Sequence, residues 1–391
     1  MDKKNIPRYI LFTLLGGLIG ATITFLLMDN MDTSSNKCRV SVNNSKFEPV
    51  FEAYELLKSD YYKDLDDNVL IDGMIDGMME ATGDKHTAFF NEKETKDFLE
   101  EMSGSYYGIG AQIYQTEDNN VSISKVFKDS PAKKAGLQIG DMFVSINGES
   151  ALGKTPSEVS SILRSSDSKI ANVVIKRGEE ELSFEIEKSM VEIASVEYEV
   201  LDNNIGYIGI STFSSLTDDQ FSDALKELEE KKIDSLIIDL RGNGGGYLTT
   251  VTNIISRFVD RNTVIYQIKD RNKTEKYYSL NDSVLNYKVV ILIDENSASA
   301  SEIMCSALKE QYGAILVGKT TYGKGTVQDM HNLSNNTLIK YTIEEWLSSE
   351  GNTINDVGVK PDYEIELGDE YFSDPTMEND AQLQKAIELL K

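Results

Sequence analysis

The chain has 391 residues, with 39 Lys and Arg against 65 Asp and Glu, a net charge of −26. Its length suits two to three domains, and 40% hydrophobic with 27% charged residues excludes a disordered or fibrous protein. The acidic balance argues against a general nucleic-acid binder, which needs a basic surface to neutralise phosphates. The two cysteines, Cys38 and Cys305, are too few for a disulfide framework or a Cys-rich zinc site, and any histidine-based chemistry must use His86 or His331.

Tyr9 to Met28 runs without a charge for about 30 Å as a helix, long enough to cross a bilayer core. Lys3, Lys4 and Arg8 precede it, so the positive-inside rule places the N-terminus in the cytoplasm and the rest of the chain outside. A cleaved signal peptide is the competing reading. The run is long for one, and no small-x-small cleavage site follows it. After a polar linker over 29–45, residues 47–82 carry apolar side chains at helical spacing, and residues 83–104 read as a polar, helix-prone stretch. From Ser105 to about 190 the period changes to short alternating strands with one helical segment, PSEVSSILR, a β-rich module of small-domain size. From about 191 to 365, apolar strands (NIGYIGI, SLIIDL, KVVILID, AILVG) alternate with amphipathic helices, the pattern of an α/β unit with a mainly parallel sheet. An acidic tail over 366–391 ends in a helical run, and both the segment 47–82 and the run 375–391 suit either core packing or a dimer contact.

The β-rich module carries Tyr106-Tyr107-Gly108-Ile109-Gly110, then Ser130-Pro131-Ala132, Ala135-Gly136-Leu137, Gly140-Asp141 and Asn147-Gly148. Together these resemble the interior of a PDZ domain. Gly108, Ile109 and Gly110 suit a loop whose backbone N–H groups meet a carboxylate, beside a strand edge that can accept an extended peptide. The resemblance implies recognition of a C-terminal peptide carboxylate.

The residues able to do chemistry lie in the last third. Asn296-Ser297-Ala298-Ser299-Ala300-Ser301-Glu302 follows a predicted strand and opens a predicted helix. A helix cap accounts for one serine and poorly for three. A serine at such a turn also makes a good nucleophile site, because free N–H groups at the helix start can stabilise an oxyanion. Its base could be His86 or His331, since triads assemble in space. It could also be Lys324, held between Gly323 and Gly325, where burial would favour the neutral amine. Gln328 returns to the same side of a strand and could hydrogen-bond that amine. Asp239-Leu240-Arg241-Gly242-Asn243-Gly244-Gly245-Gly246 is a strand and glycine-rich turn. It lacks both G-x-G-x-x-G and G-K-[ST], which argues against a phosphate cradle.

The runs SASASEI and VGKTTYGKGTVQ, with their Ser-to-Lys separation, resemble the signature blocks of the C-terminal processing (tail-specific) serine peptidases. The resemblance covers residues 47–365. It implies a ClpP/crotonase-like protease core with Ser299 as nucleophile, Lys324 as general base and Gln328 orienting the lysine. By the same resemblance the N–H groups of Gly245 and Ala300 form the oxyanion hole, Ser301 caps the helix, Glu302 is a supporting carboxylate and His86 is structural. Leu163-Arg164 is not followed by the family's two glycines, Gly244 stands for the usual proline, and Asp294 for the commoner asparagine, the last with no evident consequence.

The expected architecture is an α+β multidomain chain: a stub and transmembrane anchor (1–28), linker (29–45), helical segment (46–104), PDZ domain (105–190), protease core (191–365), and acidic tail with helix (366–391). The expected function is that of a membrane-anchored serine endopeptidase, single-pass with its catalytic part extracytoplasmic, acting on proteins through their C-termini. No metal, cofactor or nucleic acid is expected, and a homodimer is allowed. The alternative is a catalytically silent PDZ adaptor.

Overall fold

A computed structural model describes residues 44–165, 168–282 and 285–391. The predicted membrane span Tyr9–Met28 and Cys38 lie outside these residues. Among the described residues no helix is long and apolar enough to cross a membrane. The chain divides into two compact units, one ending at Gly73 and the other running from Met74 to Lys391.

In the first unit the helix Glu48–Asp60 starts with proline in its first turn and buries none of its residues. Phe51, Leu56 and Tyr62 are exposed, so helical periodicity here marks an apolar face without a core beneath it. The next helix, Asp67–Glu80, likewise buries nothing.

In the second unit the stretch expected to be helical divides in two. Helix Glu92–Ser103 is capped by Asn91 and Glu94 in a reciprocal box and stopped by Gly104 at φ 70°. Just before it, however, Ala88–Phe90 is a strand that pairs antiparallel with Leu338–Lys340. Its three residues, AFF, are too few to show a period.

The β-rich module is a sheet in the order Ala111–Gln115, Val121–Val126, Met142–Ile146, Ile170–Arg177, Glu180–Glu187, with Glu149–Ser150 paired to the third strand. It closes on its own core, which includes Ile123, Leu137, Phe143, Val159 and Ile175. The strand Ser105–Gly108 pairs instead with Ser189–Glu192, so the entering and leaving chains run together.

The next layer is a six-stranded sheet: Val196–Leu201, Ile205–Ile210, Ser235–Asp239, Lys288–Ile293, Ile315–Gly318, Tyr363–Glu364. Only the first pair is antiparallel. Alternate residues point to opposite faces, and both faces are covered. Ile208, Leu236, Ile238 and Ile291 pack under the helices Thr217–Glu230, Leu248–Ile255 and Ala300–Tyr312. Ile237, Val290 and Val317 pack with Leu383 and Ala386 of the helix Ala381–Leu390. The terminal helix is therefore part of the core, and the expected boundary at 366 does not separate a tail from it. A second sheet was not legible in the sequence: Ala88–Phe90, Leu338–Leu347, Val264–Lys269 and Thr274–Tyr278 in order, with Thr326–Asn332 also paired to Leu338–Leu347.

Candidate active site

The parallel strands Ser235–Asp239 and Lys288–Ile293 are neighbours, with Asp239 opposite Leu292. Both end at one edge of the sheet, where crevices form in α/β folds. The first leads into the glycine-rich loop and the second into the serine turn. These two connections are laced together. Ser297 Oγ donates to Leu240 O at 2.8 Å, Ala298 N to Asn243 O at 3.0 Å, and Ser301 Oγ to Asn243 O at 2.9 Å. Asp294, for which the sequence offered no role, accepts from Gly242 N at 2.9 Å and from Ser297 N at 2.9 Å.

Ser299, not Ser301, is the N-cap of helix Ala300–Tyr312. Ser301 is turned inward to Asn243, which corrects the expected cap. Ser299 has φ 55° and ψ −113°, a costly conformation for a residue with a Cβ, of the kind that persists where the surroundings over-determine it. Gly245 explains part of that constraint. A Cβ at Gly245 would lie 2.8 Å from Ala298 O and 2.9 Å from Ser299 Cβ, so only glycine lets the loop approach this closely.

Glu302 is fully buried and accepts four hydrogen bonds: Ser299 N at 2.8 Å, Thr321 Oγ1 at 2.6 Å, Gly323 N at 2.7 Å and Lys324 N at 2.9 Å. One carboxylate in the first helical turn thus fixes both the serine turn and the backbone of the lysine loop. The glycines around Lys324 serve close approach as expected. A Cβ at Gly323 would meet Gly358 N at 3.0 Å, and one at Gly325 would meet Asn355 N at 2.4 Å. Trp346 Nε1 donates to Lys324 O at 2.8 Å.

Ser299, Ala300, Lys324 and Gln328 line one cavity of about 530 Å³, together with Gly245, Lys340 and Trp346. Lys324 Nζ makes no ion pair or hydrogen bond among the described residues. Burial, and then the charge of Lys340, push its pKa below the usual lysine range, against the opposing pull of Asp84 and Glu302. Gln328 shares the cavity but does not reach the amine: its Nε2 donates to Thr326 Oγ1 at 2.8 Å and Thr342 Oγ1 at 3.3 Å. The expected pair of oxyanion donors is also divided. Ala300, as the first helical residue, has an N–H without an intrahelical partner. Gly245 N–H instead donates to the buried Asn243 Oδ1 at 2.8 Å, because Asn243 folds back within the turn.

Neither histidine lines the cavity. His86 follows Asp84 in a tight turn, with its N–H on Asp84 Oδ1 at 2.9 Å and its ring edge against Tyr322. Burial and the nearby Lys324 lower its pKa. His331 is exposed on the strand Thr326–Asn332.

In the β-rich module Ile109 is a core residue, 3% exposed, so its side chain is unavailable to a ligand. Burial raises the pKa of the Tyr106 phenol, while Arg164 and the backbone N–H groups of Gly110 and Ala111 act to lower it. The Tyr106 ring lies over Gly108, where a Cβ would come within 2.5 Å of it. The loop read as a carboxylate receptor therefore has the Tyr106 side chain packed against it in this structure. Arg164 lies over the same ring at 5.5 Å and pairs with Asp97 at 3.1 Å and Glu100 at 2.9 Å.

Sequence reasoning missed Asn243, Trp346, Lys340 and Thr342. Only Asn243, inside the glycine-rich turn, carried a local signal; the other three lie in no recognisable motif.

A strained serine at a helix start, facing a lysine across the carboxyl edge of a parallel sheet and joined to a PDZ module, defines the class of serine peptidases with an α/β core. Residues 204–365 match Peptidase family S41, residues 122–177 match a PDZ domain, and residues 18–95 match the Activating protease CtpB N-terminal domain. The chain is 36% identical over 367 residues to the carboxy-terminal processing protease CtpB of Bacillus subtilis, covering 92% of this chain and 76% of that protein. It is 32% identical over 369 residues to CtpA of the same organism, covering 94% and 78%. The structure of a photosystem II D1 C-terminal processing protease aligns at 25% identity and a TM-score of 0.46, covering 81% of this chain and 86% of that one. The chain belongs to the C-terminal processing serine peptidases of family S41, and it is a serine-type endopeptidase with a PDZ domain.

Proposed function

We propose that this peptidase works through a Ser299–Lys324 dyad, with Gln328 orienting the lysine, on proteins whose C-terminal tail is held by the PDZ module. The observation that carries the reading is the cavity itself: a strained serine at a helix N-terminus shares it with a partly buried, unpaired lysine of lowered pKa. Neutral Lys324 takes the hydroxyl proton as Ser299 Oγ bonds to the scissile carbonyl carbon. The tetrahedral oxyanion is met by Ala300 N–H and by the glycine-rich loop, where Gly245 N–H would have to leave Asn243. Collapse breaks the C–N bond, and the ammonium of Lys324 returns its proton to the departing amine. Water, activated by the same lysine, then hydrolyses the acyl-enzyme. Catalytic contacts that are open in an unliganded enzyme commonly close on substrate, consistent with the free Lys324 amine.

In the PDZ module the substrate carboxylate would meet the N–H groups of Gly110 and Ala111, beside the Tyr106 side chain. The charge-free run Tyr9–Met28, with its basic N-terminal flank, supports a single-pass anchor and an extracytoplasmic catalytic body. The exposed Phe51 and Leu56 favour a homodimer through the N-terminal unit.

The test is mass spectrometry of products from an extracytoplasmic protein incubated with the full chain. Ser299→Ala and Lys324→Arg should both lose cleavage, because a guanidinium is no base near neutral pH. Undiminished cleavage by either variant would overturn the dyad.

A further inference from the structure

Gln328 is useful to Lys324 only if the correct end of its amide faces the amine. A hydrogen bond from the lysine N–H needs the carbonyl oxygen, and the two ends of an amide are nearly the same shape. The strand hairpin decides which end is presented. Gln328 lies opposite Thr342 in the pairing of Thr326–Asn332 with Leu338–Leu347, and its Nε2 contacts both Thr326 Oγ1 and Thr342 Oγ1.

Asp84 removes the ambiguity at Thr342. Its carboxylate accepts from Thr342 Oγ1 at 2.5 Å, Thr87 Oγ1 at 2.7 Å and His86 N at 2.9 Å. Burial alone would push the Asp84 pKa up, but the hydrogen bonds from Thr342, Thr87 and His86 hold it below the usual carboxylate range, so it is an acceptor only. A hydroxyl has one proton, and that of Thr342 goes to Asp84. Toward Gln328 the threonine can therefore only accept, and it selects the NH2 end of the amide.

We propose that Asp84 and Thr342 are positioning residues that lock the Gln328 amide with its NH2 toward Thr342 and Thr326, leaving its carbonyl oxygen as the end offered to Lys324. This rests on the reading of Gln328 as the residue that orients the lysine. It assigns a task to the Asp84–His86 turn that neither histidine performs: the turn delivers a carboxylate to a strand 258 residues further along the chain.

The test is steady-state cleavage of a fluorogenic peptide with a free C-terminus by the full chain and by Gln328→Ala, Thr342→Val, Thr342→Ser, Asp84→Asn and the Gln328→Ala/Thr342→Val double variant. Thr342→Val keeps the shape of a strand residue and removes the hydroxyl. It should lower kcat by about 3–10-fold, the size of one hydrogen bond, with KM unchanged. Thr342→Ser should restore most of kcat. Asp84→Asn, whose amide can turn an N–H toward the threonine and free its proton, should lower kcat in the same way. In the Gln328→Ala background, Thr342→Val should change kcat by less than about twofold, because a residue acting through another shows no separate effect once that partner is gone.

A full multiplicative loss in the double variant would overturn the inference, as would an impaired Gln328→Ala alongside an unimpaired Thr342→Val. Full kcat in Gln328→Ala would overturn the role of Gln328 itself, and the inference with it.

Discussion

The serine turn and the lysine loop meet in one cavity but are built on opposite plans. Around Ser299 the polar groups are matched and buried: Glu302 accepts four hydrogen bonds, and Asn243 O accepts from both Ala298 N and Ser301 Oγ. Lys324 is as tightly held through its backbone, by Glu302 and Trp346, yet its amine is unpaired and faces a second lysine. In the proposed dyad the nucleophile must be held in one geometry, which rigid matching supplies. The proposed base must be neutral, and any carboxylate bonded to its amine would favour the charged form. The chain therefore uses its buried carboxylate on the lysine's main chain and keeps it from the side chain.

The first way to break this comparison is Glu302→Gln. Its amide can still accept at one end, while the other end presents N–H groups to donors. Two buried donors lose their acceptor, at about 1–3 kcal/mol each, and the serine turn loosens. Denaturant unfolding should show that loss, and peptidase activity should fall to background. A variant of unchanged stability would mean that the turn is held by packing alone.

Lys324→Met tests the other half. The folded state disfavours the charged amine, so this lysine detracts from stability when protonated. Removing it should abolish cleavage and stabilise the protein by about 0.5–2 kcal/mol, the range seen when a functional site is relieved of strain. The sign follows from the lowered pKa. Between the folded and unfolded values the unfolded chain binds more protons, so stability rises with pH. The gain in Lys324→Met is therefore full below the folded pKa and disappears as pH approaches the usual lysine range. A destabilised Lys324→Met, measured at neutral pH, would contradict the comparison.

The smallest expected effect is at Lys340, whose charge adds to burial in depressing the Lys324 pKa, while Asp84 and Glu302 act in the opposite direction and His86 also faces the amine. Lys340→Met should raise the pKa of Lys324. The acid limb of kcat/KM should then move to higher pH, by less than about one unit, as for a like charge across a partly wet cavity. Lys340→Arg should keep the limb in place. A limb that does not move in Lys340→Met would leave burial as the whole cause.

Much of the site was legible because it is local. A serine between strand and helix, a lysine between glycines and a glycine-rich turn after a buried strand each encode a backbone conformation within a few residues. The same holds for the β-rich module, whose turns are marked by glycine, proline and asparagine. What was not legible depends on pairs far apart in the chain. The strand Ala88–Phe90 exists because Leu338–Lys340 offers it an edge, and it shows no period of its own. The helix Ala381–Leu390 is core rather than tail because Ile237 and Val290 need a cover on that face.

By itself, then, the sequence determined which family the chain belongs to and which residues are the candidates for its chemistry, since residue type and short-range spacing specify both. Only the tertiary structure decided the hydrogen-bond directions: Ser301 turned to Asn243, Gly245 N–H engaged with Asn243, and Thr342 committed to Asp84. A hydroxyl or an amide has several allowed partners, and which one takes its proton is set by what folding brings within 3 Å of it.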